Sequence, residues 1–212
     1  MLKNNKPTKY CFDLDSTITK VETLPFLAEH FGVKQEMAAL CEELNAKNLD
    51  YAEDLKLRLN ILKPFPIKEI QEIFTTIPLC DGILRFIRNH KAECAVVTSN
   101  VDLYISRLMK EVIGCEHYAS TGVESNGRLL TIKSVISKES VVISLQRQGY
   151  KVAFTGDGIN DAEAVKAADL GVAASYVKKA AKEAVSAADI EAATEAQAIS
   201  AISAVGFYTK ER

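Results

Sequence analysis

The sequence predicts an α/β protein: a mainly parallel sheet flanked by helices, with a small helical module inserted after the first strand. Short apolar runs at 9–15, 93–98, 151–155 and 170–173 are typical of buried strands, and they alternate with segments of helical periodicity. Between the first two runs, residues 21–76 show helical periodicity alone. Repeated strand–helix units with buried strands indicate a parallel sheet covered by helices.

The segment after the first strand signal consists of predicted helices. Apolar residues recur there at spacings of three and four over 24–31, 55–62 and 67–74. A set of helices without a strand between them predicts an inserted module. The expected domains are a core made of 1–18 and 78–212, and a helical cap made of 19–77.

The rest of the chain alternates between helices and strands. Helices are predicted at 82–90, 102–113, 138–148 and 160–168, strands at 93–98, 151–155 and 170–173, and two final helices around a weak strand near 189–190. Gly114 and Gly149 follow two of the helices and are typical of helix ends. Asn126 and Gly127 lie between two β-prone runs within 118–132, which predicts a hairpin.

Composition and charge argue against several classes of protein. The chain has 212 residues, 48% of them hydrophobic and 25% charged, so it can bury one core with a small additional module. A net charge of −2 without a basic run argues against nucleic-acid binding. No signal peptide and no run of about 18 apolar residues is visible, so we expect a cytoplasmic protein without a membrane partner. Widely spaced cysteines and few histidines disfavour a disulfide framework and a zinc site.

Polar side chains follow three of the predicted strands. Asp13 and Asp15 end the first, residues 98–100 (Thr-Ser-Asn) end the second, and Asp157 and Asp161 bracket a glycine-rich turn after the third. Because ligands bind beyond the carboxyl ends of parallel strands, these groups are expected to face one crevice. Converging carboxylates form a hard-oxygen site that suits Mg²⁺.

Each of these residues has a plainer interpretation when it is taken singly. An Asp after a strand often forms a turn or a helix cap, and a Gly-Asp-Gly sequence is common in turns. Ser99 alone would be interpreted as a cap for the helix that begins near 102. A Lys at a helix start, such as Lys138, is usually a solvated surface residue, and Lys133 lies close to it as a second choice.

In this order, however, the motifs resemble those of the haloacid dehalogenase superfamily of phosphohydrolases, which have a Rossmann-like core. The resemblance covers about 9–190 and rests on four motifs. They are Asp-Leu-Asp-Ser-Thr at 13–17, an apolar strand ending at Thr98, Lys138 at a helix start, and Gly-Asp-Gly-Ile-Asn-Asp at 156–161.

The resemblance implies a Mg²⁺-dependent phosphomonoesterase. Asp13 would attack the phosphate to form an aspartyl-phosphate, and Asp15 would protonate the leaving alcohol and then activate water. The metal would be held by Asp13, Asp157 and the backbone carbonyl of Asp15, with Asp161 and Asn160 orienting metal-bound water and Lys138. The residues implied for the phosphoryl oxygens are Thr98, Ser99 and Lys138.

The helical insert narrows the resemblance to the phosphoserine phosphatase-like subgroup. There a Glu holds the substrate amine, a cap Arg binds the carboxylate and an aromatic residue closes the pocket; Glu22, Arg58 and Tyr51 occupy these positions. Without the resemblance, Arg58 would be interpreted as solvated and Tyr51 as partly buried. Ser99 and Asn100 replace the usual glycines, so the pocket is expected to be narrower or polar in a new way. The substrate-binding residues implied are Glu22, Tyr51, Arg58, Asn100 and Asn160.

Several alternatives stay open. The substrate is phosphoserine or a similar small phosphometabolite, or else another phosphomonoester such as a sugar phosphate or a phosphocholine-like compound. The stretch 155–162 also resembles the hinge motif of P-type ion pumps, but the pumps' Lys-Thr-Gly-Thr, nucleotide-binding insert and membrane helices have no counterpart here. A catalytically silent binding homologue is the last alternative. As partner we expect a small phosphate ester, and as assembly a monomer or a homodimer.

Overall fold

The computed structural model describes residues 6–47 and 50–205. Its strands are β1 (Thr8–Phe12), β2 (Cys94–Val101), β3 (Glu116–Ser125), β4 (Arg128–Ser134), β5 (Lys151–Gly156), β6 (Leu170–Ala174) and β7 (Ile190–Ala192). They form one sheet in the order β4-β3-β2-β1-β5-β6-β7. Each neighbouring pair is parallel except β3 and β4. The predicted fold class is confirmed.

The helices occupy the predicted segments. Four of them lie between β1 and the next core helix: α1 (Thr23–His30), α2 (Lys34–Lys47), α3 (Tyr51–Leu62) and α4 (Ile67–Phe74). The others are α5 (Asp81–Asn89), α6 (Asp102–Leu108), α7 (Lys138–Arg147), α8 (Ala162–Ala167), α9 (Lys182–Ala187) and α10 (Glu195–Ser203). In the described ranges, no helix is long and apolar enough to cross a membrane.

Two apolar clusters cover the two faces of the sheet. Phe12 and Val96 belong to one cluster and Cys11 and Ala95 to the other, because successive strand residues point to opposite faces. The first cluster includes residues of α1, α2, α3, α4, α5, α6 and α10, and the second includes residues of α7 and α8. The inserted helices therefore share a continuous apolar cluster with one face of the sheet.

The centre of the sheet is the place where the chain changes direction. From β1 it builds outward through β2, β3 and β4 on one side, then returns to add β5, β6 and β7 on the other. The segments after β1 and β5 turn to opposite faces, since the inserted helices lie on one face and α8 on the other. A crevice at such a point is the usual ligand site of an open α/β sheet.

The hairpin of β3 and β4 is formed as predicted and also contacts the inserted helices. Asn126 and Gly127 have φ of 53° and 74°, as the two central residues of a type I′ turn require. The Gly127 carbonyl accepts a hydrogen bond from Ile67 N (2.8 Å), and Arg128 Nε donates to Pro64 O (2.8 Å). The hairpin tip thus supports the start of α4.

Two element boundaries differ from the sequence prediction. β2 continues to Val101 instead of ending at 98. The helix predicted at 102–113 is α-helical to Leu108 and then forms a π-helical turn, Met109–Ile113, which ends at Gly114 with φ 77°. The division into a core and a cap remains a prediction; its residues 1–5, 48–49 and 206–212 lie outside the described residues.

Candidate active site

The carboxyl ends of β1, β2 and β5 open into one cavity of about 550 Å³. Asp13 N donates a hydrogen bond to Thr155 O (2.9 Å), which joins the segments leaving β1 and β5. The polar residues lining the cavity include Asp13, Asp15, Glu22, Tyr51, Asp54, Arg58, Ser99, Asn100, Lys138, Asp157, Asn160 and Lys178. The sequence prediction that these strand ends face one crevice agrees with this geometry.

We call four buried residues the floor of the cavity: Asp13, Asp157 and Lys138, which line it, and Asp161, which lies behind them against Lys138. Lys138 Nζ donates to Asp13 Oδ1 and to Asp161 Oδ1, at 2.6 Å each. Ser137 caps the start of α7 by accepting from Ser140 N (3.1 Å), which places Lys138 at the first helical position. The ammonium group is therefore fixed between two carboxylates.

Burial and mutual repulsion control the protonation of the floor. Burial and the charge of Asp161 raise the pKa of Asp13 well above its ordinary value, although Lys138 opposes the shift. Burial alone would lower the pKa of Lys138, but Asp13 and Asp161 outweigh it and raise the pKa. Burial raises the pKa of Asp157 to about 6, with Lys178 acting in the opposite direction. One buried ammonium does not fully compensate three buried acids.

The three floor carboxylates have a geometry that suits a divalent cation. One oxygen from each of Asp13, Asp157 and Asp161 lies within 4.8 Å of the other two. Hard carboxylate oxygens are the ligands that Mg²⁺ takes in proteins. Gly156 makes room for this arrangement, because a Cβ atom there would lie 2.5 Å from Asp161 Cγ. The cluster thus fits the metal that the sequence predicted.

Asp161 lies behind the other floor residues. It is fully buried, and each of its oxygens is used: Oδ1 accepts from Lys138, and Oδ2 accepts from Gly158 N (2.9 Å). It therefore holds Lys138 and the glycine turn in place, which is consistent with the orienting role predicted for it.

Asp15 is placed differently from Asp13. Its Oδ1 accepts from Thr23 N (2.5 Å) and its Oδ2 from Asn100 Nδ2 (2.6 Å), so the side chain points toward the start of α1 and the end of β2. Burial and the charge of Glu22 raise its pKa. Its side chain lies outside the acidic cluster of three found among the described residues. Only its backbone carbonyl, as predicted, remains a candidate metal ligand.

The end of β2 presents Ser99 and Asn100 to the cavity but not Thr98. Thr98 is fully buried, and its Oγ1 accepts from Asn100 N (3.1 Å) and Asn100 Nδ2 (3.2 Å). Both amides of Asn100 thus lie against the hydroxyl, at the end of β2 where the pairing with β3 is irregular. Thr98 does not line the cavity in this structure, and the phosphate-binding role predicted for it stays a prediction.

The rim of the cavity consists of Glu22, Tyr51, Asp54, Arg58 and Lys178. Arg58 forms an ion pair with Asp54 one helical turn earlier, and Lys178 pairs with Glu22 and with Asp157 (3.2 Å). Tyr51 Oη accepts from Asn160 Nδ2 (3.2 Å), which joins α3 to the glycine turn. The structure brings the predicted Glu22, Tyr51 and Arg58 together at this rim.

Sequence reasoning missed two residues of the rim, Asp54 and Lys178. The spacing of four between Asp54 and Arg58 on a predicted helix was a signal for an ion pair. Lys178 lies on the segment that follows β6, and its partners are far away in the sequence. The sequence contained no comparable signal for it.

Comparison with known proteins places this chain among hydrolases. Residues 11–166 match the haloacid dehalogenase-like hydrolase family. A phosphoserine phosphatase of Archaeoglobus fulgidus is 30% identical over 183 residues, which cover 80% of this chain and 53% of that protein, so the chain spans about half of its length. The human calcium-transporting ATPase type 2C member 1 is 30% identical over 179 residues, covering 78% of this chain but only 19% of the ATPase.

A similar fold is found in a solved structure. The HAD family hydrolase of Salmonella enterica serovar Typhi superposes with a TM-score of 0.77 at 19% identity. The superposition covers 89% of this chain and 68% of that one. At this identity the likeness concerns the fold alone, and it agrees with the sheet and flanking helices described above.

Proposed function

The chain belongs to the haloacid dehalogenase-like hydrolase family, and we propose that it hydrolyses a small phosphomonoester through an aspartyl-phosphate formed on Asp13. The observation that supports this most is the floor of the cavity. A buried lysine joins Asp13 to Asp161 at 2.6 Å each, and Asp157 lies beside them at the end of a cavity of about 550 Å³. Buried acids concentrated in this way destabilise a fold unless cations compensate them, and such groups cluster at functional sites.

Asp13 and Asp157 are the floor carboxylates that line the cavity, and Asp13 is proposed as the nucleophile because Lys138 holds it through one oxygen, Oδ1. A carboxylate oxygen attacks phosphorus in line, the bond from phosphorus to the leaving oxygen breaks, and its electron pair stays on the leaving alcohol. Lys138 stays within reach of the phosphoryl oxygens and stabilises their negative charge.

Asp15 is proposed as the proton donor and acceptor. Its raised pKa, caused by burial and by Glu22, favours the protonated form that the first step needs. It gives its proton to the leaving alcohol and then takes one from the water that attacks the aspartyl-phosphate, which releases phosphate and restores Asp13. Thr23 and Asn100 hold its carboxyl group in one orientation for both steps.

Mg²⁺ is the cofactor we propose for the floor. When bound, it cancels the repulsion between the carboxylates and the phosphate dianion and restricts their geometry. Its proposed ligands are Asp13, Asp157 and the backbone carbonyl of Asp15. Asn160 and Asp161 are proposed to orient the metal-bound water and Lys138. Two of these ligands, Asp13 and Asp157, lie with Asp161 in one acidic cluster whose oxygens are within 4.8 Å of one another, which supports this assignment.

Phosphoserine is the first candidate substrate. Glu22, Tyr51 and Arg58 all line the cavity, and the Archaeoglobus relative is named a phosphoserine phosphatase. Arg58 Nε is buried without a hydrogen-bond partner among the described residues, so the guanidinium keeps a donor for a substrate carboxylate. Glu22 would hold the amine.

A phosphomonoester of an uncharged alcohol is the second candidate, and the ion pairs of the rim favour it. Asp54 already neutralises Arg58, and Lys178 already neutralises Glu22. The ammonium and carboxylate groups of phosphoserine must displace the partners of Glu22 and Arg58 in order to bind. A substrate with an uncharged alcohol leaves both ion pairs intact. Ser99 and Asn100 also line the cavity, at positions where the resemblance to phosphoserine phosphatases implies glycines.

Four substrates separate these candidates by the charge on the alcohol. Phosphoserine carries an ammonium and a carboxylate, phosphoethanolamine only the ammonium, 3-phosphoglycerate only the carboxylate, and glycerol phosphate neither. The first candidate predicts the highest kcat/KM for phosphoserine, with a loss for each missing charge. A preference for glycerol phosphate supports the second candidate.

The proposed metal-dependent hydrolysis is tested with p-nitrophenyl phosphate. We expect EDTA to abolish activity and Mg²⁺ to restore it, with Ca²⁺ a poor substitute because its coordination is looser and higher. Asp157→Ala should lower activity and metal affinity together, whereas Glu69→Gln, which removes an exposed charge on α4, should change neither. Full activity in EDTA would overturn the metal assignment. The absence of hydrolysis with every substrate would instead favour a pump-like domain or a silent binding homologue.

Two expectations from the sequence remain predictions. The chain is expected to act in the cytoplasm, and to do so as a monomer or a homodimer. Its partner is a small phosphate ester, and the net charge of −2 gives no reason to expect nucleic acid.

A further inference from the structure

Lys178 lies on the segment between β6 and α9 and contacts both the floor and the rim of the cavity. Its Nζ is 3.2 Å from Asp157 Oδ2 and also pairs with Glu22 Oε1. Glu22 Oε1 in turn accepts from Ser16 Oγ (2.9 Å). One ammonium therefore joins a proposed metal ligand to a proposed substrate-binding residue.

The backbone that carries Lys178 is attached on both sides to the loops that carry the site. Before it, Tyr176 Oη donates to Thr17 O (2.8 Å). After it, Ala181 N donates to Asp157 O (2.8 Å), and Ala180 N donates to Ser175 Oγ (3.2 Å). These hydrogen bonds hold the backbone of the segment beside Asp157. The Cα atom of Lys178 is therefore kept close to the site.

The two lysines of the site differ in their freedom to move. The side chain of Lys138 is 2% exposed and fixed between two acids, whereas that of Lys178 is 50% exposed and extends in from the rim. Lys138 compensates Asp13 and Asp161 from the buried side, and Lys178 compensates Asp157 from the open side. A divalent cation that binds Asp157 meets the ammonium of Lys178 on the same carboxylate, and like charges at contact distance repel strongly.

We propose that Lys178 competes with the divalent cation for Asp157 and so sets the metal affinity of the site. In the metal-free protein it is the counter-ion of Asp157. When the metal binds, the ammonium leaves Asp157 and keeps its bond to Glu22, which its long, half-exposed side chain allows. Lys178 is a positioning residue in this scheme. The inference rests on the proposed function, since it takes the floor to be the metal site.

Calorimetric titration of the substrate-free protein with Mg²⁺ tests the competition. Lys178→Met should bind Mg²⁺ about 5- to 20-fold more tightly than the native protein, because the competing charge is gone. Lys178→Arg should stay within about twofold of native affinity because it keeps the charge. Lys179→Met is the matched control: it removes the same charge from the neighbouring exposed residue and should also stay within about twofold.

Thermal unfolding gives a second readout without substrate. In EDTA, Lys178→Met should melt below the native protein because Asp157 and Glu22 lose their counter-ion, and saturating Mg²⁺ should raise its melting temperature by more than it raises the native one. Lys178→Gln repeats both measurements with a polar side chain should the methionine variant fold poorly.

The outcomes separate this inference from the proposed function. If Lys178→Met and Lys179→Met bind Mg²⁺ with equal affinity while the native enzyme hydrolyses phosphate esters, the competition is wrong and the phosphatase assignment stands. If the native protein neither binds Mg²⁺ nor hydrolyses any ester, both are overturned. The competition is supported if Lys178→Met and Lys178→Gln bind Mg²⁺ more tightly than the native protein while Lys178→Arg and Lys179→Met do not.

Discussion

The floor and the rim of the cavity contain similar charged groups in different surroundings. On the floor, the lysine side chain is 2% exposed and its partner carboxylates 5% and 0%, and all three belong to recognisable motifs. On the rim, Lys178 and Glu22 are 50% and 43% exposed, and Arg58 and Asp54 are 21% and 24% exposed. A buried charge has few alternatives to its partner, whereas a half-exposed one exchanges its partner for water or a ligand at low cost.

This difference in exposure suggests that the floor and the rim have different roles in catalysis and in substrate selection. The floor can hold reacting groups in fixed positions, as catalysis of phosphoryl transfer demands. The rim can change partners, so the same residues can admit one alcohol and exclude another. Changes to the floor should therefore affect every substrate and the stability of the fold. Changes to the rim should affect particular substrates and leave stability nearly unchanged.

The largest effect is expected for the nucleophile. Asp13→Asn should lower kcat by several powers of ten on every phosphate ester, because the amide is a far weaker nucleophile. Its circular dichroism spectrum should match that of the native protein, since the amide has the same shape and Lys138 keeps Asp161 as partner. Steady-state assays with p-nitrophenyl phosphate measure the effect, and a loss of only a few-fold would refute covalent catalysis by Asp13.

The next effect concerns stability and compares the two lysines directly. Lys138→Met leaves buried carboxylates without their counter-ion and should cost about 3–5 kcal/mol in the free energy of unfolding. Lys178→Met removes a half-exposed partner and should cost about 1 kcal/mol or less. Urea unfolding of both variants in EDTA measures the difference. An equal loss in the free energy of unfolding for both variants would contradict the distinction between floor and rim.

Arg58 tests the selectivity of the rim. If the substrate is a phosphoamino acid, Arg58→Ala loses a charge-assisted pair worth about 2–4 kcal/mol, which lowers kcat/KM for phosphoserine about 30- to 1000-fold. p-Nitrophenyl phosphate has no carboxylate and should lose at most a few-fold. Lys56→Ala, an exposed cation on the same helix, is the control.

Two other outcomes for Arg58→Ala would change the interpretation. A uniform loss on both substrates would mean that Arg58 supports closure of the inserted helices rather than recognition. No loss on either would mean that its pair with Asp54 is a surface feature of α3, and the second candidate substrate would be favoured.

The smallest effect is expected for Glu22. Glu22→Gln still accepts a hydrogen bond from a substrate amine but loses its charge, so kcat/KM for phosphoserine and phosphoethanolamine should fall about 3- to 10-fold. 3-Phosphoglycerate has no ammonium group and serves as the internal control. An equal loss for 3-phosphoglycerate would point to the effect of Glu22 on Asp15 instead of on the substrate.

The amino-acid sequence alone predicts the sheet, the inserted helices and the candidate floor residues. Strand runs that end in Asp13 and Asp157 could be placed at one edge of the sheet, because parallel strands always bring their carboxyl ends together. The resemblance to the family indicates Lys138, with Lys133 as a second choice, and the glycine turn indicates Asp161. The strands, the helices and the motif residues can be predicted because they depend on local periodicity and on short spacings along the chain.

The ion pairs at the rim and the position of Thr98 become visible only in the three-dimensional structure. Glu22 and Lys178 are 156 residues apart in the sequence, so their pairing depends on how the segments after β1 and β6 meet above the sheet. Thr98 does not line the cavity, and the side-chain amide of Asn100 lies against its hydroxyl. Local patterns indicate which residues are polar at a strand end. Side-chain packing between distant segments determines which of these residues reach the ligand. Short sequence spacings contain no information about such packing.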